Sequence, residues 1–201
     1  MKKSIARAVL AATAACFAAL APAAWAAHAF SLYDTPKYPA GFRHFDYHNP
    51  DAPKGGDLYL ANPGAATSFD KFNPFSMKGV AAAGVGTLMF ESLAVGSADE
   101  VATMYGLLAD DMALAPDRKA MTFRLHPQAR FNNGDAVTAD DVKHSFDTLV
   151  AKGAPQFKMI FADVKQAVVL DERTIRFDFR TANRELPLIV GGMPVFSRKW
   201  A

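Results

Sequence analysis

The chain has 201 residues, 51% of them hydrophobic, and its 22 lysine and arginine against 20 aspartate and glutamate side chains give a formal net charge of +2. That length suffices for one or two ordinary domains. The near balance of charge excludes the basic surface that nucleic acid or an anionic membrane requires of a partner, and a single cysteine, Cys16, excludes a disulfide framework.

Residues 1–26 have a basic start (Lys2, Lys3, Arg7), an apolar run from position 8 to 20, and small residues at Ala24 and Ala26 around Trp25. This pattern predicts a secretory signal peptide cleaved after Ala26, with cleavage after Ala29 in Ala27-His28-Ala29 as the alternative. Pro22 interrupts the run before the ~20 apolar residues of a membrane span accumulate. Cys16 falls inside the segment to be removed, and Thr13 stands where a lipoprotein signal needs an aliphatic residue. Cleavage leaves 19 basic against 20 acidic side chains, a net charge of −1, so the basic balance belongs to the export signal.

Residues 30–56 are rich in proline and aromatics. Pro36, Pro39, Pro50 and Pro53 forbid a long helix, while Tyr33, Tyr38, Phe42, Phe45 and Tyr47 are too many for a disordered linker. An extended arm packed across a domain surface is expected. His44 and His48 flank Asp46, but the prolines argue against the helix that would align the two rings, and no further His or Cys completes a metal site. Residues 56–61 alternate Leu58 and Leu60 against Asp57 and Tyr59 and predict a first strand, ended by Asn62-Pro63-Gly64. Gly64, Ala65 and Ala66 would let another backbone come close, and the loop leads on to Phe69. The apolar spacing of 80–93 predicts a helix packed at Gly84 and Gly86. Its G-x-G lacks the third glycine and the βαβ setting of a dinucleotide site.

The most legible stretch runs from 107 to 150. Met121, Phe123 and Leu125 alternate with Thr122 and Arg124, the period of a half-buried strand. Pro116-Asp117-Arg118 predicts a turn from a partner strand ending near Leu114. Asn132-Asn133-Gly134-Asp135 supplies another turn, and Thr138-Ala139-Asp140-Asp141 a capping-box-like helix start with carboxylates at the positive end of the dipole. Val142, Phe146, Leu149 and Val150 share one face, Lys143 and Asp147 form an exposed i,i+4 pair, and Gly153 is placed for a left-handed cap. Residues 164–179 predict a hairpin turning at Asp171-Glu172-Arg173. A short helix or turn follows over 185–190.

Leu108-Ala109-Asp110, Thr122-Phe123-Arg124-Leu125, Phe131-Asn132-Asn133-Gly134 and Val137-Thr138-Ala139-Asp140-Asp141-Val142 together resemble the large periplasmic solute-binding proteins of oligopeptide ABC transporters. In the arm, Pro36-Lys37-Tyr38, Phe42-Arg43-His44-Phe45-Asp46-Tyr47 and Asn49-Pro50-Asp51-Ala52-Pro53-Lys54-Gly55-Gly56 resemble the branch serving microcin C-type peptides. The resemblance implies an α/β, bilobed type II periplasmic binding protein, of which this chain, stopping at Trp200-Ala201 directly after an apolar segment, is expected to be the amino-terminal part. A mixed sheet in the first lobe would carry a smaller inserted α/β lobe. The implied divisions are a signal peptide at 1–26, the arm and first strand at 27–71, the inserted lobe at 72–161, and a return to the first lobe at 162–201. The implied ligand is an oligopeptide, and the implied partners are inner-membrane permease subunits, with the protein itself monomeric and periplasmic. Gly64, Ala65, Ala66 and Phe69 would either border the cleft or belong to an ordinary loop, and Tyr105 would either reach the ligand or close a core.

Catalysis finds little support. Ser76, Ser92, Ser97 and Ser145 lack a nucleophile-elbow setting. The carboxylate pairs Asp110-Asp111 and Asp140-Asp141 are explained by a strand edge and a helix start. Neither a catalytic residue, a metal nor a cofactor is expected.

Overall fold

The computed structural model describes residues 27–57, 59 and 69–200. The expected signal segment at 1–26, Leu58, Leu60 and Ala61 of the expected first strand at 56–61, and Gly64, Ala65 and Ala66 lie outside that set. β1 (Ala29–Ser31), β2 (Ala94–Gly96) and β3 (Thr103–Gly106) form an antiparallel sheet in the order β1-β3-β2. β4 (Ala109–Leu114), β5 (Ala120–Leu125), β6 (Val164–Asp171) and β7 (Thr174–Phe179) form a second, in the order β4-β5-β7-β6. Among the described residues the helices are α1 (Val85–Leu88), α2 (Ala139–Lys152), α3 (Pro155–Ile160) and α4 (Leu186–Gly191).

The alternation in β5 produces the expected two faces: Met121, Phe123 and Leu125 are buried, Thr122 is half-buried and Arg124 is exposed. β7 repeats the pattern with Ile175, Phe177 and Phe179. The buried face of α2, Val142, Phe146 and Leu149, covers these strands. Phe146 meets Phe177 and Phe161 edge-on, at centroid distances of 5.7 and 5.5 Å. Aromatic edges at this spacing add to the burial of the rings themselves.

The hairpin from β4 to β5 contains a bulge. Ala109 pairs with Leu125 and Asp111 with Arg124, so Asp110 is the extra residue. Successive side chains on a regular strand point to opposite faces; the bulge re-aims one of them. Asp110 and Asp111 therefore both reach Arg124, at 3.2 and 3.7 Å.

α2 begins as its sequence predicts. The Thr138 side chain accepts from the backbone N–H of Asp141, while Asp141 Oδ2 accepts from Thr138 N at 3.0 Å. Asp141 is 4% exposed, and its other oxygen accepts from Arg198 N at 2.9 Å. One turn on, the buried Ser145 hydroxyl lies 2.8 Å from Asp141 O and accepts from Phe196 N at 2.9 Å. The first turn of α2 thus also holds the chain at 196–198. On the outer face Lys143 and Asp147 pair at 2.6 Å.

Two expectations need correction. The helix expected over 80–93 is one turn, α1, with no buried residue. Gly84 precedes it in the left-handed region (φ +80°), and Val80, Leu88 and Met89 face outward. A single unpacked turn gains too little to extend. Gly153 does end α2, but at φ −68° and extended. Its need for glycine is spatial, because a β-carbon there would collide with Leu149 O and lie 2.9 Å from the Phe157 ring. β5 pairs along its length with β7, which lies beyond residue 161, and α2 packs on β6. Residues before and after 161 share one core.

The two sheets are joined at the start of the described chain. Ala27 exchanges both backbone hydrogen bonds with Met112 of β4, at 2.9 Å each, and β1 then pairs with β3. Gly191 of α4 packs so closely on β3 that a β-carbon would run into Met104 Sδ.

Replacing Asp141 with alanine is expected to lower stability by about 1–2 kcal/mol, since it removes a cap and leaves the part-buried N–H groups of Thr138 and Arg198 unpaired. Lys143→Ala on the solvent face should cost no more than about 0.5 kcal/mol. Urea denaturation of the two variants checks the contrast, and equal losses would refute the buried role of Asp141.

Candidate functional site

The stretch after residue 69 is a closed loop with an inner and an outer surface. Asp70 and Val80 tie its ends: Asp70 N donates to Val80 O at 3.0 Å, and Val80 N donates to Asp70 Oδ1 at 2.7 Å. Lys71 and Ala81 form a bridge beside them, and the Lys71 ammonium donates across the loop to Ser76 O at 2.6 Å. Gly79, at φ +81°, lets the chain turn against the Asp70 carboxylate, where a side chain would collide. Phe75 is the inward anchor. Its ring lies 4.8 Å from Phe90 and 5.5 Å from Phe196, and its carbonyl accepts from Ala154 N at 2.8 Å.

The outer surface is apolar. Phe69, Phe72, Met77 and Val80 are all exposed, as are Leu88 and Met89 just beyond. Phe69 and Phe72 meet edge-on at 5.4 Å. Exposed large apolar side chains so concentrated in one pinned stretch are the kind of surface that contacts a ligand or another chain. Of the expected cleft residues, then, Phe69 stands at the mouth of this loop.

Tyr105 is placed elsewhere. It is 1% exposed, in a small aromatic core with Tyr38, Phe42 and Phe45 of the arm. Its hydroxyl donates to Glu100 Oε2 at 2.7 Å and accepts from Tyr38 N at 3.0 Å. Of the two roles open to it in the sequence, this geometry is that of core closure. Burial, ahead of its polar neighbours, pushes the phenol up to about 12. Around it the arm is latched by charge: Lys37 Nζ pairs with Asp46 at 2.8 Å and Asp99 at 2.7 Å, and Tyr38 Oη donates to Asp99 at 2.7 Å. The Lys37 ammonium, then the Ser97 and Tyr38 hydroxyls, hold the Asp99 carboxyl well below the usual carboxylate range. The arm is therefore a packed element, as its composition predicts. The latch was not anticipated; the acidic Asp99-Glu100 pair just ahead of the alternating Thr103-Met104-Tyr105 was its signal.

The remaining polar candidates have structural partners. Ser76 holds Lys71, Ser92 Oγ donates to Ala94 O, and Ser97 Oγ donates to Asp99. His44 lies exposed beside Phe45 O, and His48 packs on Tyr47 at 4.7 Å. Among the described residues, no group of three or more His, Cys, Asp or Glu could hold a metal ion. Two shallow cavities, of about 160 and 200 Å³, lie away from the loop, below the ~300 Å³ at which small-molecule sites begin.

Residues 103–199 match the family described as bacterial extracellular solute-binding proteins, family 5 middle. The chain is 40% identical over 171 residues to the peptidoglycan-binding protein YepA of Agrobacterium fabrum, covering 81% of this chain and 27% of YepA. It is likewise 40% identical over 166 residues to the probable peptide-binding protein YejA of the same organism, covering 82% of this chain and 26% of that one. The chain thus spans about a quarter of the length of these curated relatives. Its fold is similar to that of NikA from Brucella suis, solved in complex with Fe(III)-EDTA, with a TM-score of 0.54 and 18% identity over 64% of this chain and 26% of NikA. The mixed α/β architecture is the one found in bilobed periplasmic binding proteins of family 5.

A phenol whose folded pKa lies above its unfolded value near 10 contributes stability that is present below about pH 10 and lost as pH rises towards about 12. Tyr105→Phe should therefore cost about 1–2 kcal/mol near pH 8, by removing both hydroxyl contacts. The gap from wild type should narrow above about pH 10. Denaturant unfolding at both pH values measures it, and a gap independent of pH would refute the assignment.

Proposed function

We propose, from the family 5 match over residues 103–199, that this chain is part of the solute-binding component of an ABC transporter that captures oligopeptides in the periplasm and delivers them to an inner-membrane permease. The observation that carries this reading is the pinned loop at 69–81, with Phe75 holding it to the core while Phe69, Phe72 and Met77 face outward. A rigid apolar rim offers contact area without reading one side chain in particular, and a peptide's own N–H and C=O groups supply the directional part of binding. Phe69 and Phe72 contact ligand in this reading, and Gly64, Ala65 and Ala66 approach its backbone. Closure of two lobes about a hinge would bury the guest. Within the class, peptide conjugates of the microcin C type are the finer assignment, resting on the wording of the arm. Export by the segment at 1–26 brings the protein to the compartment where such ligands arrive.

A second reading is favoured by one observation, the 40% identity to a relative named as peptidoglycan-binding. In that reading the same rim takes wall-derived peptides, and the protein serves the envelope as a scaffold or hydrolase rather than transport.

Thermal melts separate the two. Short unmodified peptides at about 100 times their Kd should stabilise the protein by about 2.7 kcal/mol, and Phe72→Ser should weaken that response without lowering the ligand-free melt. Stabilisation by muropeptides alone would favour the envelope reading, turnover of wall fragments would mark a hydrolase, and no response to either would overturn the binding role.

A further inference from the structure

We infer that the exported chain is cut between Ala26 and Ala27, and that the new amino terminus is itself a structural strand end. This rests on the export reading above and decides between the two cleavage positions that the small residues allow. Residues 27–29 are built into the fold. Ala27 N donates to Met112 O and Met112 N donates to Ala27 O, both at 2.9 Å. His28 O accepts from Gly106 N at 2.9 Å, and the His28 ring lies 2.8 Å from Tyr38 O through Nε2. Ala29 pairs with Tyr105 in β1 and is 7% exposed beneath the aromatic core of the arm.

Cleavage after Ala29 would remove all of these contacts. It would strip the β4 edge at Met112 and leave the Gly106 N–H, at the half-buried end of β3, without its acceptor, a loss a folded protein rarely tolerates. It would also shorten β1 to two residues. Cleavage after Ala26 removes none of them. The α-ammonium it creates falls on the nitrogen that already donates to Met112 O, so the charged terminus keeps an acceptor and open solvent. Order in time follows too. A peptidase needs its substrate extended, so the cut precedes docking of residues 27–31 across the two sheets.

The test is intact mass and amino-terminal sequencing of the full coding chain, expressed with its own leader in a bacterium and recovered from the periplasm. A chain beginning Ala27-His28-Ala29 is expected. A periplasmic chain beginning at Phe30 would overturn this inference and leave export standing. A full-length chain retained in the cytoplasm would overturn the export reading and this one with it. A second measurement does not depend on the host's peptidase: mature chains beginning at Ala27 and at Phe30 are melted side by side. The shorter chain should melt lower by about 5 °C or more, and equal melting temperatures would overturn the structural role of residues 27–29.

Discussion

β5 and β7 lie far apart in sequence, and their antiparallel pairing, from Ala120 with Asp178 to Arg124 with Thr174, encloses the whole of α2 between them. Closing so long a connection costs entropy that short hairpins avoid. Three rings offset it at one place. Phe123 and Phe177, both without exposed surface, meet edge-on at 6.0 Å, and Phe146 comes down on Phe177 from α2. Without that pairing the β4–β5 and β6–β7 hairpins would be two separate two-stranded ribbons, and α2 would cover only the second of them. The carboxylate of Asp141 extends the same unit to the far end of the described chain, because it holds residue 198 as well as its own helix start.

Much of this was legible because the signals are local. Period-two alternation marked β5 and the β6–β7 hairpin, and Thr138 with Asp141 marked the start of α2 down to the reciprocal cap. Signals that depend on what lies across space were not legible. Nothing near Phe161 says that the strand after it belongs with β5. Gly153 reads as a conformational glycine when it is a steric one, and the alanines and glycines of 80–93 carry helical spacing without a surface to bury it. Asp110 and Asp111 read as two exposed carboxylates; only the bulge shows why one arginine serves both.

The candidate site divides along the same line. That the arm packs could be read from its aromatics, while the role of Tyr105 could not, since a tyrosine at the end of a buried strand suits either a ligand or a core. In the structure Glu100 and the Tyr38 N–H engage its hydroxyl within the arm's aromatic core. Phe69 is the reverse case. It was singled out by its neighbourhood in the family resemblance, and its exposure depends on Phe75 having taken the inward position instead. Several of the described polar side chains are engaged in holding the fold: Ser145 and Asp141 hold the chain at 196–198, and Ser92 bonds Ala94 O.

Residues 27–31 bond first to β4 and then to β3, so a single short run of backbone bridges both sheets like a splint. Neither sheet can swing relative to the other without shearing that bridge, and Gly191 seated on Met104 and Ala94 ties α4 to the first of them. Any flexing of the described chain must therefore be taken up outside this joint, which behaves mechanically as a rigid hub.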